Sequence, residues 1–89
     1  MARNERVTKV IDGDTFMTGS RQNPVRLAGV DTPEKREPGY QKAKQALADL
    51  IQGETVTIDT KARDTYRRSV ANVKVKGRSV DAAMKKHGK

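Results

Sequence analysis

Residues 25–53 read VRLAGVDTPEKREPGYQKAKQALADLIQG and hold a strand, a polar loop and a helix in succession. Val25 to Val30 alternates, with Val25, Leu27 and Gly29 on one face and Arg26, Ala28 and Val30 on the other, as a strand requires. Asp31 to Gly39 is rich in charge and proline and reads as a loop. From Tyr40 to Gln52 the apolar residues Ala43, Ala46, Leu47, Leu50 and Ile51 recur with the spacing of one helix face, and Gly53 is placed to end the helix.

Upstream, Val7 to Ile11 predicts a strand, Asp12-Gly13 a hairpin turn, and Thr15 to Thr18 the returning strand with Phe16 inward. Residues 19–24 are a polar connection. Downstream, Glu54 to Asp59 sets Val56 and Ile58 against polar neighbours, residues 61–66 form a loop, and Ser69 to Val75 is a further strand. Lys76-Gly77 turns the chain into a short helix from Ser79, with Val80, Ala83, Met84 and His87 on one stripe. Three strands, a helix, two strands and a helix predict an α+β fold. It is a five-stranded OB-type barrel with a helix between strands 3 and 4 and a short C-terminal helix.

The chain has 89 residues, which predicts a single domain over 1–89. It is 34% hydrophobic, below the roughly 45–50% of ordinary globular domains, so its core is small. Nineteen Lys and Arg against 11 Asp and Glu leave a formal charge of +8. That balance favours a polyanionic partner, most simply DNA or RNA, over a merely solvated basic surface. With no cysteine and one histidine, His87, zinc sites and disulfides are nearly excluded. A metal held by such a chain takes oxygen ligands, which points to Ca²⁺ or Mg²⁺. No apolar run is long enough for a membrane span or a signal h-region. The chain as given is expected to be cytoplasmic, or secreted if it is a mature or shortened form. It is expected to be a monomer without membrane contact.

Three islands carry the chemistry. In Asp12-Gly13-Asp14-Thr15 the plain reading is a solvated turn, the functional one a carboxylate, Asp14, aimed into a cleft. Asp31-Thr32-Pro33-Glu34 has the composition of a helix start, but Pro38-Gly39 stops any helix at once, and an acidic loop at a strand end is a better cation site. Arg26 is the only charge within its strand and needs an anionic partner, either an internal carboxylate or a substrate phosphate gripped by two bonds. In the third island, Asp64 to Arg68, alternation puts only one of Arg67 and Arg68 on the cleft side, while Tyr66 either stacks on a base or caps the barrel. Walker A and GxGxxG phosphate loops are absent.

Taken together, VIDGDTF, VRLAGVDTPE, AKQALADLI, DTYRR and GRSVDAAM resemble the staphylococcal (micrococcal, thermonuclease) nuclease family over Val7 to Gly88. The resemblance implies an OB-fold barrel with a Ca²⁺-dependent phosphodiesterase site. By position it implies Asp14 and Asp31 as Ca²⁺ ligands through their carboxylates and Thr32 through its carbonyl. It implies Glu34 as the base that activates water, Arg26 and Arg68 as the phosphate clamp, and Tyr66 as a nucleotide contact. The family usually has glycine where this chain has Arg67; if that position needs a positive φ, Arg67 is strained. Longer family members continue past the equivalent of Lys89 with another helix.

The expected function is therefore Ca²⁺-dependent hydrolysis of DNA or RNA phosphodiesters with little sequence preference. The rival is a non-catalytic OB-type nucleic-acid-binding or interaction module with a relict site. It explains charge and fold equally well, but leaves Asp14, Asp31 and Glu34 without a purpose, since clustered carboxylates repel a polyanion.

Overall fold

The computed structural model describes residues 2–65 and 67–88. Its elements are β1 (Ala2–Asp12), β2 (Thr15–Thr18), β3 (Val25–Leu27), α1 (Tyr40–Ile51), β4 (Thr55–Arg63), β5 (Ser69–Val75), β6 (Arg78–Ser79) and α2 (Val80–Met84), followed by a 3₁₀ turn over Lys85–His87. The strands pair in the order β3-β2-β1-β4-β5-β6, and β3 also pairs with β5, in parallel, which closes the first five strands into a barrel. This is the expected OB-like barrel with helices, extended by the short β6. Among the described residues no helix is long and apolar enough to cross a membrane.

β1 serves both halves of the barrel. Ala2 to Arg6 pairs with β4, and Val7 to Asp12 pairs with β2 through two register shifts that bend the strand. The sequence predicts only Val7 to Ile11, because Arg3, Asn4, Glu5 and Arg6 show no apolar alternation. Glu5 nevertheless points inward and is buried. β4 likewise runs on to Arg63 where a loop is expected from Lys61, with a register shift between Thr60 and Ala62.

β3 is shorter than expected. Gly29, at φ 70, ends it, and the break in alternation carries Val30 into the core although the pattern assigns it to the other face. The core combines barrel residues such as Phe16, Leu27, Ile58 and Val73 with Leu47 and Ile51 of α1 and Val80 and Met84 of α2. Asp81, in the first turn of α2, ties that helix to the barrel: its Oδ1 accepts from the Val73 amide at 2.6 Å. Burial raises the Asp81 carboxyl above its usual range, against the pull of that hydrogen bond.

The two hairpin turns, both expected, differ from each other. Lys76 (φ 51) and Gly77 (φ 79) both adopt positive φ, as a two-residue type I′ loop demands. In the β1–β2 hairpin the loop residues are Gly13 and Asp14, and neither is among the positive-φ residues. Gly13 is required for space instead. A Cβ there would lie 2.7 Å from the Ala43 Cβ and 2.8 Å from the Thr32 Oγ1, so the turn rests directly on α1 and on the loop after β3.

Candidate active site

Four segments of the chain converge on one open cleft of about 410 Å³. The β1–β2 turn brings Asp12 and Asp14, β3 brings Arg26, the loop after β3 brings Asp31, Thr32 and Glu34, and the chain entering β5 brings Arg68. Six of the seven expected site residues thus line a single cavity. The seventh, Tyr66, lies outside the described residues.

Asp14 is the most firmly held. It is 8% exposed. Its Oδ1 accepts from Thr15 Oγ1 at 2.9 Å, its Oδ2 from the Thr32 amide at 3.3 Å, and its carbonyl from the Leu27 amide at 2.8 Å. The β1–β2 turn, β3 and the acidic loop are thereby tied at one carboxylate. Asp12 is anchored separately: the Tyr40 hydroxyl lies 3.0 Å from its Oδ1. Burial, and then the Asp12 carboxylate, raise the Tyr40 phenol above its ordinary value, which keeps it a protonated donor.

Arg26 answers the question its isolation in β3 poses. Its Nη2 lies 3.7 Å from Asp14 Oδ2 and 3.8 Å from Asp31 Oδ1. These are ion-pair separations longer than a hydrogen bond, so the guanidinium balances both carboxylates without being tightly committed to either. Asp31 has 69% of its side-chain surface exposed. Glu34 is exposed too, and the loop around it is shaped by its own amide, which donates to Glu37 Oε1 at 2.7 Å.

Alternation predicts that only one arginine of the pair faces the cleft, and it is Arg68; Arg67 is exposed elsewhere. Asp64 positions Arg68. Its Oδ2 accepts from Arg68 Nε at 2.6 Å, and its Oδ1 from the Arg68 amide at 3.0 Å. Asp64, within the DTYRR stretch, is given no role by the sequence pattern, because its contact with Arg68 is set by the fold and not by residue type. Arg67 has φ 64, so the position does take the left-handed conformation that glycine favours.

Among the described residues no group of three or more His, Cys, Asp or Glu side chains gathers as a metal site. The donor set nevertheless fits a hard cation as two carboxylates, Asp14 and Asp31, completed by Thr32 and solvent. Thr32 is 3% exposed, and its Oγ1, against Gly13, is buried with no hydrogen-bond partner among the described residues.

Residues 24–89 match the sequence model of the family described as staphylococcal nuclease homologue. A Haemophilus influenzae protein described as an uncharacterized endonuclease is 37% identical over 86 residues, covering 93% of this chain and 48% of that protein. Protein ParB of Escherichia coli is 37% identical over 93 residues, covering 92% of this chain and 52% of its own. A micrococcal nuclease of Shigella flexneri is 35% identical over 69 residues, covering 75% and 40%. The chain spans about half the length of the first two of these relatives. With this cleft on this barrel, and with a family match over most of its length, the chain belongs to the staphylococcal nuclease homologue family.

Proposed function

We propose that this chain is a metal-dependent nuclease that hydrolyses DNA or RNA phosphodiesters with little sequence preference. The observation that carries the reading is the meeting, in one cleft, of two arginines, Arg26 and Arg68, with the carboxylates Asp14, Asp31 and Glu34. Arginines alone would suit a binding module. Carboxylates beside them raise the cost of holding a polyanion, and that cost is worth bearing where the groups act on the phosphate.

In this reading Asp14 and Asp31, through their carboxylates, and Thr32, through its carbonyl, would hold Ca²⁺, which would supply Lewis-acid stabilisation of phosphate charge. Glu34, exposed at the mouth, takes a proton from water. The water oxygen forms the new bond to phosphorus, and the P–O bond to the leaving sugar oxygen breaks with its electron pair staying on that oxygen. Arg26 and Arg68 stabilise the charge that grows on the phosphoryl oxygens. Asp64 keeps the Arg68 guanidinium turned so that its planar edge meets the phosphate. Asp12 and Tyr40 buttress the β1–β2 turn that presents Asp14.

Incubation with plasmid DNA and with single-stranded RNA, in Ca²⁺ and in excess chelator, tests the reading. Cleavage that needs Ca²⁺ and stops in chelator supports it. Binding of the same nucleic acids without cleavage in any divalent metal would instead favour the binding-module reading.

A further inference from the structure

A second cleft, of about 350 Å³, opens at the end of the barrel where the start of β1, the end of β4, the β2–β3 connection and the start of β5 meet. Its rim carries Arg3 on β1 and Arg63 on β4, with Arg21 of the β2–β3 connection between them and the hydroxyls of Thr60 and Ser69 on the wall. We infer that this cleft is a second site for a nucleic-acid backbone phosphate, taking the strand that extends from the candidate active site.

The charge balance points that way. The one carboxylate in the cleft, Glu5, is buried and already saturated. Its Oε1 accepts from Thr18 and Ser20, each at 2.7 Å, and from Arg21 Nε at 2.9 Å. Its Oε2 accepts from Arg21 Nε and Nη2, both at 2.8 Å. Glu5 and Arg21 therefore cancel, and Glu5 presents little negative charge to an incoming anion. Arg3 and Arg63 are exposed, and neither forms an ion pair among the described residues. Nearby Asp59 and Asp64 are taken by Lys61 and Arg68. Ser69 accepts from Arg21 Nη1 at 2.9 Å, which fixes its oxygen and leaves the hydroxyl proton to donate.

The ligand class follows from position. Arg68 lines the first cleft and the next residue, Ser69, lines the second, so the two clefts meet at the start of β5. A chain of regularly spaced phosphates is the anion that fits a first cleft holding two arginines and a second, basic cleft, the two meeting at one strand start. A neighbouring cavity along Gln22 and Asn23 shares Arg21, Arg63 and Ser69 and continues the polar track. The inference rests on the nucleic-acid reading of the first cleft but not on turnover there.

The test is binding in chelator, so that nothing is cut, of single-stranded oligonucleotides of about two and about twelve nucleotides, read by fluorescence anisotropy over a range of salt. The variant is Arg3→Ala with Arg63→Ala. The control removes the same charge elsewhere, through Lys42→Ala with Arg78→Ala, both exposed. The variant is expected to bind the longer strand roughly 10–30-fold more weakly near 0.1 M salt, with the slope of log K against log salt smaller by about 1.4, two single-strand phosphate contacts. The short ligand is expected to lose little. In the unaltered chain, amide resonances of Arg21 and Ser69 should shift with the long strand only. An unchanged slope, an equal loss in the control, or no binding by the parent chain would overturn the inference. Binding through both clefts without cleavage in any metal would uphold it and sink the nuclease reading alone.

Discussion

Arg67 is the residue at which local preference and global structure disagree most openly. A non-glycine residue at φ 64 costs about 1–2 kcal/mol, and Arg67 is exposed with nothing in its own packing to repay that. The turn needs the conformation because Arg67 donates its amide to Asp64 O at 3.1 Å while Asp64 holds Arg68. Arg67→Gly is expected to stabilise the fold by roughly 0.5–1 kcal/mol, part of the relief being lost to the greater unfolded-state entropy of glycine. A melting scan should show a rise of a few degrees. A fall would mean that Arg67 contributes more than strain. The other residues of the site divide by how they could be found. Asp14, Arg26, Asp31, Glu34 and Arg68 stand out as charges at strand ends or in an apolar strand. Asp64 and Tyr40 act through another side chain, and such a role is a matter of distance in space that spacing alone does not reveal.

At the scale of elements, α1, β5 and the closing helix follow from periodicity and turn residues almost to the residue, because each has one face in the core. The first half of β1 and the last part of β4 do not. Their pairing is set by the partner strand, and the inward side chain of the early β1 segment is a charged one, Glu5, so the alternation that betrays a half-buried strand is missing. Gly13 shows a second limit: the dipeptide Asp12-Gly13 marks a turn correctly, but the reason for glycine is the approach of α1. Gly13→Ala would press a methyl against Ala43 and Thr32, and is expected to cost about 1–3 kcal/mol and to displace the loop that carries Asp31 and Glu34. Denaturant unfolding together with an activity assay checks this. Unchanged stability would show that the turn and α1 can part freely.

For the whole molecule, a small core and a charge of +8 make buried polar contacts count. Burial alone would raise the Glu5 carboxyl, but its hydrogen bonds from Arg21, Ser20 and Thr18 outweigh that and hold it at about 2 against an ordinary 4.5. A carboxyl lowered on folding stabilises the native state above its unfolded value and loses that contribution as pH falls. The loss should therefore run from about pH 4.5 down to about 2, worth at most about 3 kcal/mol. Urea unfolding at successive pH values is expected to show this slope in the parent chain and a flatter one in Glu5→Gln, which should also be less stable at neutral pH. Parallel slopes would remove Glu5 from the acid response.

The cleft between the β1–β2 turn, β3 and the Asp31–Glu34 loop is proposed to perform chemistry and not merely to bind. Glu34→Gln tests this most directly, since it keeps shape and removes only the proposed base, on an exposed side chain. Single-turnover cleavage of a labelled oligonucleotide in Ca²⁺, measured beside its binding affinity, is expected to fall by a factor on the order of 10²–10⁴ while binding holds. Cleavage at the parent rate in Glu34→Gln would contradict the assignment of this cleft as the catalytic one.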